Sequence, residues 1–128
     1  MKRILVVDSD AEIVEFNVAA LEEEPGFMFG KAYDGKQAVD IATVWPPHVV
    51  LLDITLPRCD GLSVLRLLKR DRRTAHAKVI IITGEGGAAA EANAMKLGAD
   101  GFMEKPVSAE DLRLKVAEVL NIEFAAAA

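Results

Sequence analysis

Hydrophobic residues in this chain follow two alternating rhythms. Three short runs are apolar without interruption: Ile4-Leu5-Val6-Val7, Val49-Val50-Leu51-Leu52 and Val79-Ile80-Ile81-Ile82. A strand with one wet face would alternate apolar and polar positions, so unbroken runs predict strands covered by helices on both sides. Phe27 to Tyr33 and Ala99 to Glu104 read as two further strands, poorer in apolar residues and flanked by glycine, which places them toward the sheet edges. Between the runs the spacing changes to that of a helix. Val14, Val18 and Leu21 with Ile13 and Phe16 mark a first helix, Val64, Leu67 and Leu68 a later one, and Leu112, Val116, Val119 and Leu120 the last.

Turn chemistry agrees with these boundaries. Ser9 with Glu12 and Ser108 with Asp111 have capping-box spacing, Asp34 precedes a helical stretch, and Gly98 closes one. Strand, turn and helix therefore recur five times, the pattern of a parallel α/β domain. A chain of 128 residues that is 52% hydrophobic has enough apolar surface for one core and too little length for two. Residues 1–122 are expected to form that domain and 123–128 a tail, with Ala125 to Ala128 read as a linker stub or appended residues.

Charge narrows the function classes. A net charge of -5 disfavours direct binding to nucleic acid through bulk attraction. Cys59, the single cysteine, cannot form an internal disulfide, and four apolar residues after Met1-Lys2-Arg3 are too few for a signal peptide or a membrane span. A soluble, cytoplasmic protein with no membrane partner is the expectation.

In an open parallel sheet, ligands bind beyond the carboxyl ends of the strands, so the residues that end the apolar runs carry the most information. They are Asp8, Asp53, Thr83 and, just past the fifth strand, Lys105. Each acid alone reads equally well as a helix cap. Together, two carboxylates offer oxygen ligands to Mg²⁺, and the cation with an amine and a hydroxyl would neutralise a transferred phosphoryl group.

The segment Asp53-Ile-Thr-Leu-Pro57-Arg-Cys-Asp60-Gly61, the turn Ile82-Thr83-Gly84 and the run Phe102-Met-Glu-Lys105-Pro106 resemble the acceptor loop, switch turn and lysine-proline signature of response regulator receiver domains. The intervals of 30 residues from Asp53 to Thr83 and 22 from Thr83 to Lys105 are also similar to that family, and the resemblance spans about residues 2 to 120. It implies a doubly wound (βα)5 flavodoxin-like fold with a five-stranded parallel sheet in the order 2-1-3-4-5. It further implies that Asp53 accepts a phosphoryl group from a histidine kinase or histidine phosphotransfer protein, with Mg²⁺ held by Asp8, Asp53 and the backbone carbonyl of Thr55. By the same resemblance Lys105 pairs with the phosphoryl oxygens, Thr83 donates its hydroxyl to the phosphorylated state, and Phe102 turns inward as the docking face repacks. Thr55 and Glu85 match positions that tune water access, Pro106 matches a cis peptide bond, and the output is a downstream protein or an output domain outside the chain.

One position departs from the family. Two adjacent acids normally follow the first strand, whereas here the run is Asp8-Ser9-Asp10, with Ser9 at the place of a direct metal ligand. Exchanging a carboxylate for a hydroxyl removes an attraction of roughly 4 kcal/mol before desolvation is subtracted, so Mg²⁺ affinity is expected to fall. Ser9 or Asp10 would then reach the metal through water, if at all. Against that role stand two capping readings, Asp10 at the first helix's amides and Ser9 paired with Glu12.

Two other functions share these residues. A degenerate receiver with a weakened metal site would act as a phosphorylation-independent docking module. Alternatively, Asp8-Ser9-Asp10 resembles the nucleophile motif of haloacid-dehalogenase-type phosphatases, although the chain is short for one and lacks a later acidic pair. The basic stretch Arg66 to Lys78 reads as a solvated helix end, and His48, His76 and Cys59 lack the neighbours that zinc or thiol chemistry needs. Trp45 reads as a packing lid on the second helix.

Overall fold

The computed structural model describes residues 1–124. Five strands alternate with five helices: β1 (Lys2–Val7), α1 (Ala11–Leu21), β2 (Phe27–Ala32), α2 (Gly35–Val44), β3 (Val49–Leu52), α3 (Gly61–Arg70), β4 (Lys78–Thr83), α4 (Ala88–Lys96), β5 (Gly101–Glu104) and α5 (Ala109–Leu120). All strand pairs are parallel and the order is β2-β1-β3-β4-β5, so the two runs poorest in apolar residues are the edges. The fold class is that expected from the sequence.

Two-sided burial explains the unbroken runs. Leu5 and Val7 face a core with Val50, Leu52, Val79 and Ile81, closed by α2, α3 and α4. Their neighbours Ile4 and Val6 face the opposite core with Val49, Leu51, Ile80 and Ile82, closed by α1 and α5. Alternate side chains of one strand thus serve two cores, and neither face tolerates a polar residue. Trp45 follows α2 and packs on the first core, where a side chain at Gly30 would press on its ring.

Caps form where side chains can reach free amides. Asp34, Asp60 and Ser108 accept from the backbone amides of Gln37, Ser63 and Asp111, starting α2, α3 and α5. At α1 the structure decides between the two capping readings: Asp10, not Ser9, is the cap and accepts the Glu12 amide at 2.9 Å, while Ser9 lies exposed. The chain enters α1 later than the spacing of Ser9 and Glu12 implies, because the Asp10 amide is first tied back to Asp8 Oδ1 at 2.9 Å.

Three apolar residues sit elsewhere than the sequence suggests, two of them despite helical spacing. Phe16 is 46% exposed and Leu67 45% exposed, each on the rim of its helix rather than beneath it. Phe124, in the segment read as tail, has its ring 5.5 Å from that of Phe27 in an edge contact, with the Arg113 guanidinium 5.3 Å from its centroid. The expected linker stub, Ala125 to Ala128, lies outside the described residues.

Two stability consequences follow from this packing. Leu65 is fully buried in the first core, so Leu65→Ala should lower unfolding free energy by about 3 kcal/mol in urea titration, with fluorescence and circular dichroism moving together. His48 Nδ1 accepts the Arg3 amide at 2.9 Å, and burial, followed by the charges of Arg3 and Lys2, pushes its pKa below the ordinary 6.5. The fold therefore holds neutral imidazole; its contribution is complete above that ordinary value and is lost as pH falls through the lowered one. Urea midpoints should drop between about pH 7 and about pH 5 more in the wild type than in His48→Gln.

Candidate functional site

β1 and β3 are adjacent in the sheet and their final residues, Val7 and Leu52, are register partners. The next residue of each chain segment is an aspartate, so Asp8 and Asp53 emerge side by side at the carboxyl edge. Both are nearly buried, at 3% and 6% exposure. Two carboxylates in such a place repel each other and lose hydration, and each needs compensation.

Lys105 supplies it. Its Nζ donates to Asp8 Oδ2 at 2.7 Å and to Asp53 Oδ2 at 3.2 Å, so one ammonium bridges both acids. The remaining carboxylate oxygens accept backbone amides: Asp10 N–H donates to Asp8 Oδ1, and Thr55 N–H to Asp53 Oδ1 at 3.3 Å. Burial alone would lower the lysine pKa; the hydrogen bond to Asp8 and the charges of Asp53 and Asp8 outweigh it and hold the ammonium above the ordinary value. A raised lysine pKa stabilises the fold fully below the ordinary 10.5 and ceases to do so only as pH rises through the raised value.

Thr83 ends β4 and is fully buried. Its hydroxyl accepts the Glu85 amide at 3.1 Å, and its carbonyl accepts the Lys105 amide at 2.9 Å, which ties the turn after β4 to the lysine by backbone. The Lys105-Pro106 peptide bond is cis. Phe102, on β5, is half-buried against the first core. Thus Asp8, Asp53 and Lys105 are in direct contact, Thr83 is linked to Lys105 through the main chain, and the Asp10 carboxylate is engaged in capping α1.

The loop after Asp53 is held by two glycines. Gly61 N–H donates to Ile54 O at 2.7 Å, and any side chain there would strike the Asp53 backbone. Gly35, at the start of α2, donates to Pro57 O at 3.2 Å, and a side chain there would strike the backbone of Cys59. Sequence reasoning passed over Gly35; its signal was the Asp-Gly pair shared by the starts of α2 and α3. It passed over Glu104 as well, whose Oε1 accepts the Gly87 amide at 2.7 Å.

Beside the acids lies an apolar cleft of about 430 Å³ between α1 and the segment after β5, lined by Ile13, Phe16, Asn17, Ile82, Lys105, Pro106 and Val107. Lys105 belongs to both the cleft and the acid pair. As for a divalent ion, no group of three His, Cys, Asp or Glu side chains suited to a metal occurs among the described residues. The donor set is two carboxylates already turned on one cationic centre, with the Thr55 carbonyl in the adjoining loop. That set fits Mg²⁺, which binds through one or two carboxylates and keeps room for phosphate oxygens and water.

Comparisons with known proteins converge. Residues 4–117 match the family model for the response regulator receiver domain. The DNA-binding dual master transcriptional regulator RpaA of Synechocystis is 32% identical over 121 residues, covering 94% of this chain and 50% of that protein. The phosphate regulon transcriptional regulatory protein PhoB of Pseudomonas aeruginosa is 34% identical over 120 residues, covering 94% and 52%. The chain therefore spans about half the length of these curated relatives. Among solved structures, a CheY-like receiver domain protein from Methanospirillum hungatei superposes with a TM-score of 0.86 at 29% identity over 94% of both chains. The receiver domain of NtrX from Brucella abortus gives 0.83 at 31% identity, covering 94% and 99%.

The lysine bridge is directly testable. Lys105→Met leaves two buried carboxylates without their counter-charge and should cost about 3 kcal/mol at neutral pH. Adding Asp8→Asn to that variant should recover part of the loss in a double-mutant cycle by urea unfolding.

Proposed function

The chain belongs to the response regulator receiver domain family, and on that footing we propose that Asp53 is the phosphoacceptor of a switch that changes a protein-docking face. The observation that carries the reading is the single ammonium of Lys105 on both Asp8 and Asp53 at the carboxyl edge of β1 and β3. An Asp53 carboxylate oxygen attacks phosphorus, a P–O bond forms, and the donor's P–N bond breaks with the imidazole leaving to take up a proton. Lys105 exchanges carboxylate oxygens for phosphoryl oxygens without leaving its place. Thr83 turns its hydroxyl toward the new group, and Phe102 follows into the space vacated.

Asp8, Asp53 and the Thr55 carbonyl would hold Mg²⁺, which when bound supplies the charge neutralisation that phosphoryl transfer requires. Thr55 and Glu85 flank the acceptor and tune how water reaches it. The cleft of Ile13, Phe16 and Pro106 shares Lys105 with the acceptor, so a histidine kinase or phosphotransfer protein that reaches Asp53 covers it, which accounts for an exposed Phe16. Both curated relatives named above are transcriptional regulators, and for this chain a separate output domain or a protein target would read the switched face. Residues 1–122 constitute the signalling unit in this reading. No helix among the described residues is long and apolar enough to cross a membrane.

A second reading rests on Ser9. With a hydroxyl where the family places an acid, and Asp10 committed to its cap, the cation loses one direct charge, as in a receiver that docks without phosphorylation. Treatment with a small acyl phosphate separates the two. Asp53 should gain one phosphoryl mass in the presence of Mg²⁺, with Asp53→Asn inert and Ser9→Asp labelled at lower Mg²⁺. An unlabelled wild type that Ser9→Asp restores would favour the docking module.

A further inference from the structure

α4 begins poorly. It is 9 residues long, the shortest of the five helices, and buries Ala94 alone among its residues. Its cap position, Gly87, has φ of 118° and no side chain to accept the first free amides, whereas the other four helices are each capped by their own Asp or Ser. The segment leading into it, Gly84-Glu85-Gly86-Gly87, has three glycines in four residues and little conformational preference of its own. Such a segment should wander, and it is the one attached to Thr83.

A carboxylate from another element instead holds the amide of the cap residue itself. Glu104 ends β5 as the register partner of Thr83, and its Oε1 accepts the Gly87 amide at 2.7 Å. The negative charge also sits at the favourable end of the α4 dipole. Gly86 makes room for it, since a Cβ there would run into the Glu104 carboxylate. The loop is thus fixed at two amides, Glu85 to the Thr83 hydroxyl and Gly87 to Glu104. One anchor belongs to the switch hydroxyl and the other to the strand that carries Phe102 and leads to Lys105.

We infer that Glu104 is a positioning residue: it pins the start of α4 to β5 and thereby restrains the Thr83 turn in its resting arrangement. The inference rests on the reading of Asp53 as phosphoacceptor and adds a restraint that must yield before Thr83 can turn. Releasing the anchor raises the population of the turned state, and the rate of acyl phosphate labelling rises with that population.

The test uses Glu104→Ala, Glu104→Gln and Gly86→Ala. Alanine at 104 removes both charge and acceptor; glutamine keeps an acceptor oxygen; Gly86→Ala keeps the charge and displaces the carboxylate by contact. In the unphosphorylated protein, amide hydrogen exchange over residues 86–91 should accelerate roughly tenfold in Glu104→Ala and Gly86→Ala, and less in Glu104→Gln, with β1 and β3 unchanged. Acyl phosphate labelling of Asp53 should quicken in the same order by roughly three- to tenfold. Unchanged exchange overturns the anchor. Faster exchange with unaltered labelling reduces Glu104 to a cap without influence on the switch, and equal labelling in Glu104→Gln and Glu104→Ala assigns the effect to charge; either result overturns the inference. A wild type that does not label at all defeats the phosphoacceptor reading instead, and the exchange experiment still decides whether the anchor exists.

Discussion

Two aspartates at the ends of adjacent central strands are tolerable only because one ammonium is shared between them. Parallel neighbours β1 and β3 deliver Asp8 and Asp53 together, and at 3% and 6% exposure neither acid is hydrated enough to stand alone. The counter-charge comes from the residue just past β5, a strand that β4 separates from β3, so the side chain must be long and unbranched. Lysine's flexible four-carbon stem meets that demand, and its three donors permit a change of partners without a change of place. Much of the remaining architecture holds these three residues in register.

The sheet was legible because its strands answer to two cores at once. Ile4 and Val6 on one side, Leu5 and Val7 on the other, leave no position for a polar residue, and that constraint is written directly in the sequence. The acids were legible for the complementary reason: a charged residue that abruptly ends such a run interrupts the pattern at the sheet's functional edge. Local features decided by competition were harder to read. Ser9 and Asp10 both have the chemistry of a cap, and the choice fell to Asp10 because its own amide is drawn back to Asp8, a tertiary fact invisible to spacing. Phe16 has helical periodicity with its buried neighbours yet sits at the rim beside Pro106, since α1 packs mainly on α5 and the sheet.

Least legible were contacts between segments distant in sequence that involve no distinctive side chain. Gly35 matters through what it lacks, since it lets the backbone at Cys59 approach the start of α2. Glu104 occupies a strand end where an exposed acid would ordinarily be unremarkable, and only its meeting with Gly87 gives it significance. Both are absences or coincidences in one dimension that become interactions in three.

The two glycines that brace the loop after Asp53 divide the rim into a stiff half and a compliant half. On the stiff side, backbone lies against backbone at Gly35 and Gly61, so strain introduced at Asp53 finds no slack to absorb it there. On the other side, the glycine-rich approach to α4 offers little resistance of its own. Space for added atoms is therefore found on the α4 side, at Gly84 and Gly87, and not on the α2 side, where Gly35 and Gly61 lie against neighbouring backbone.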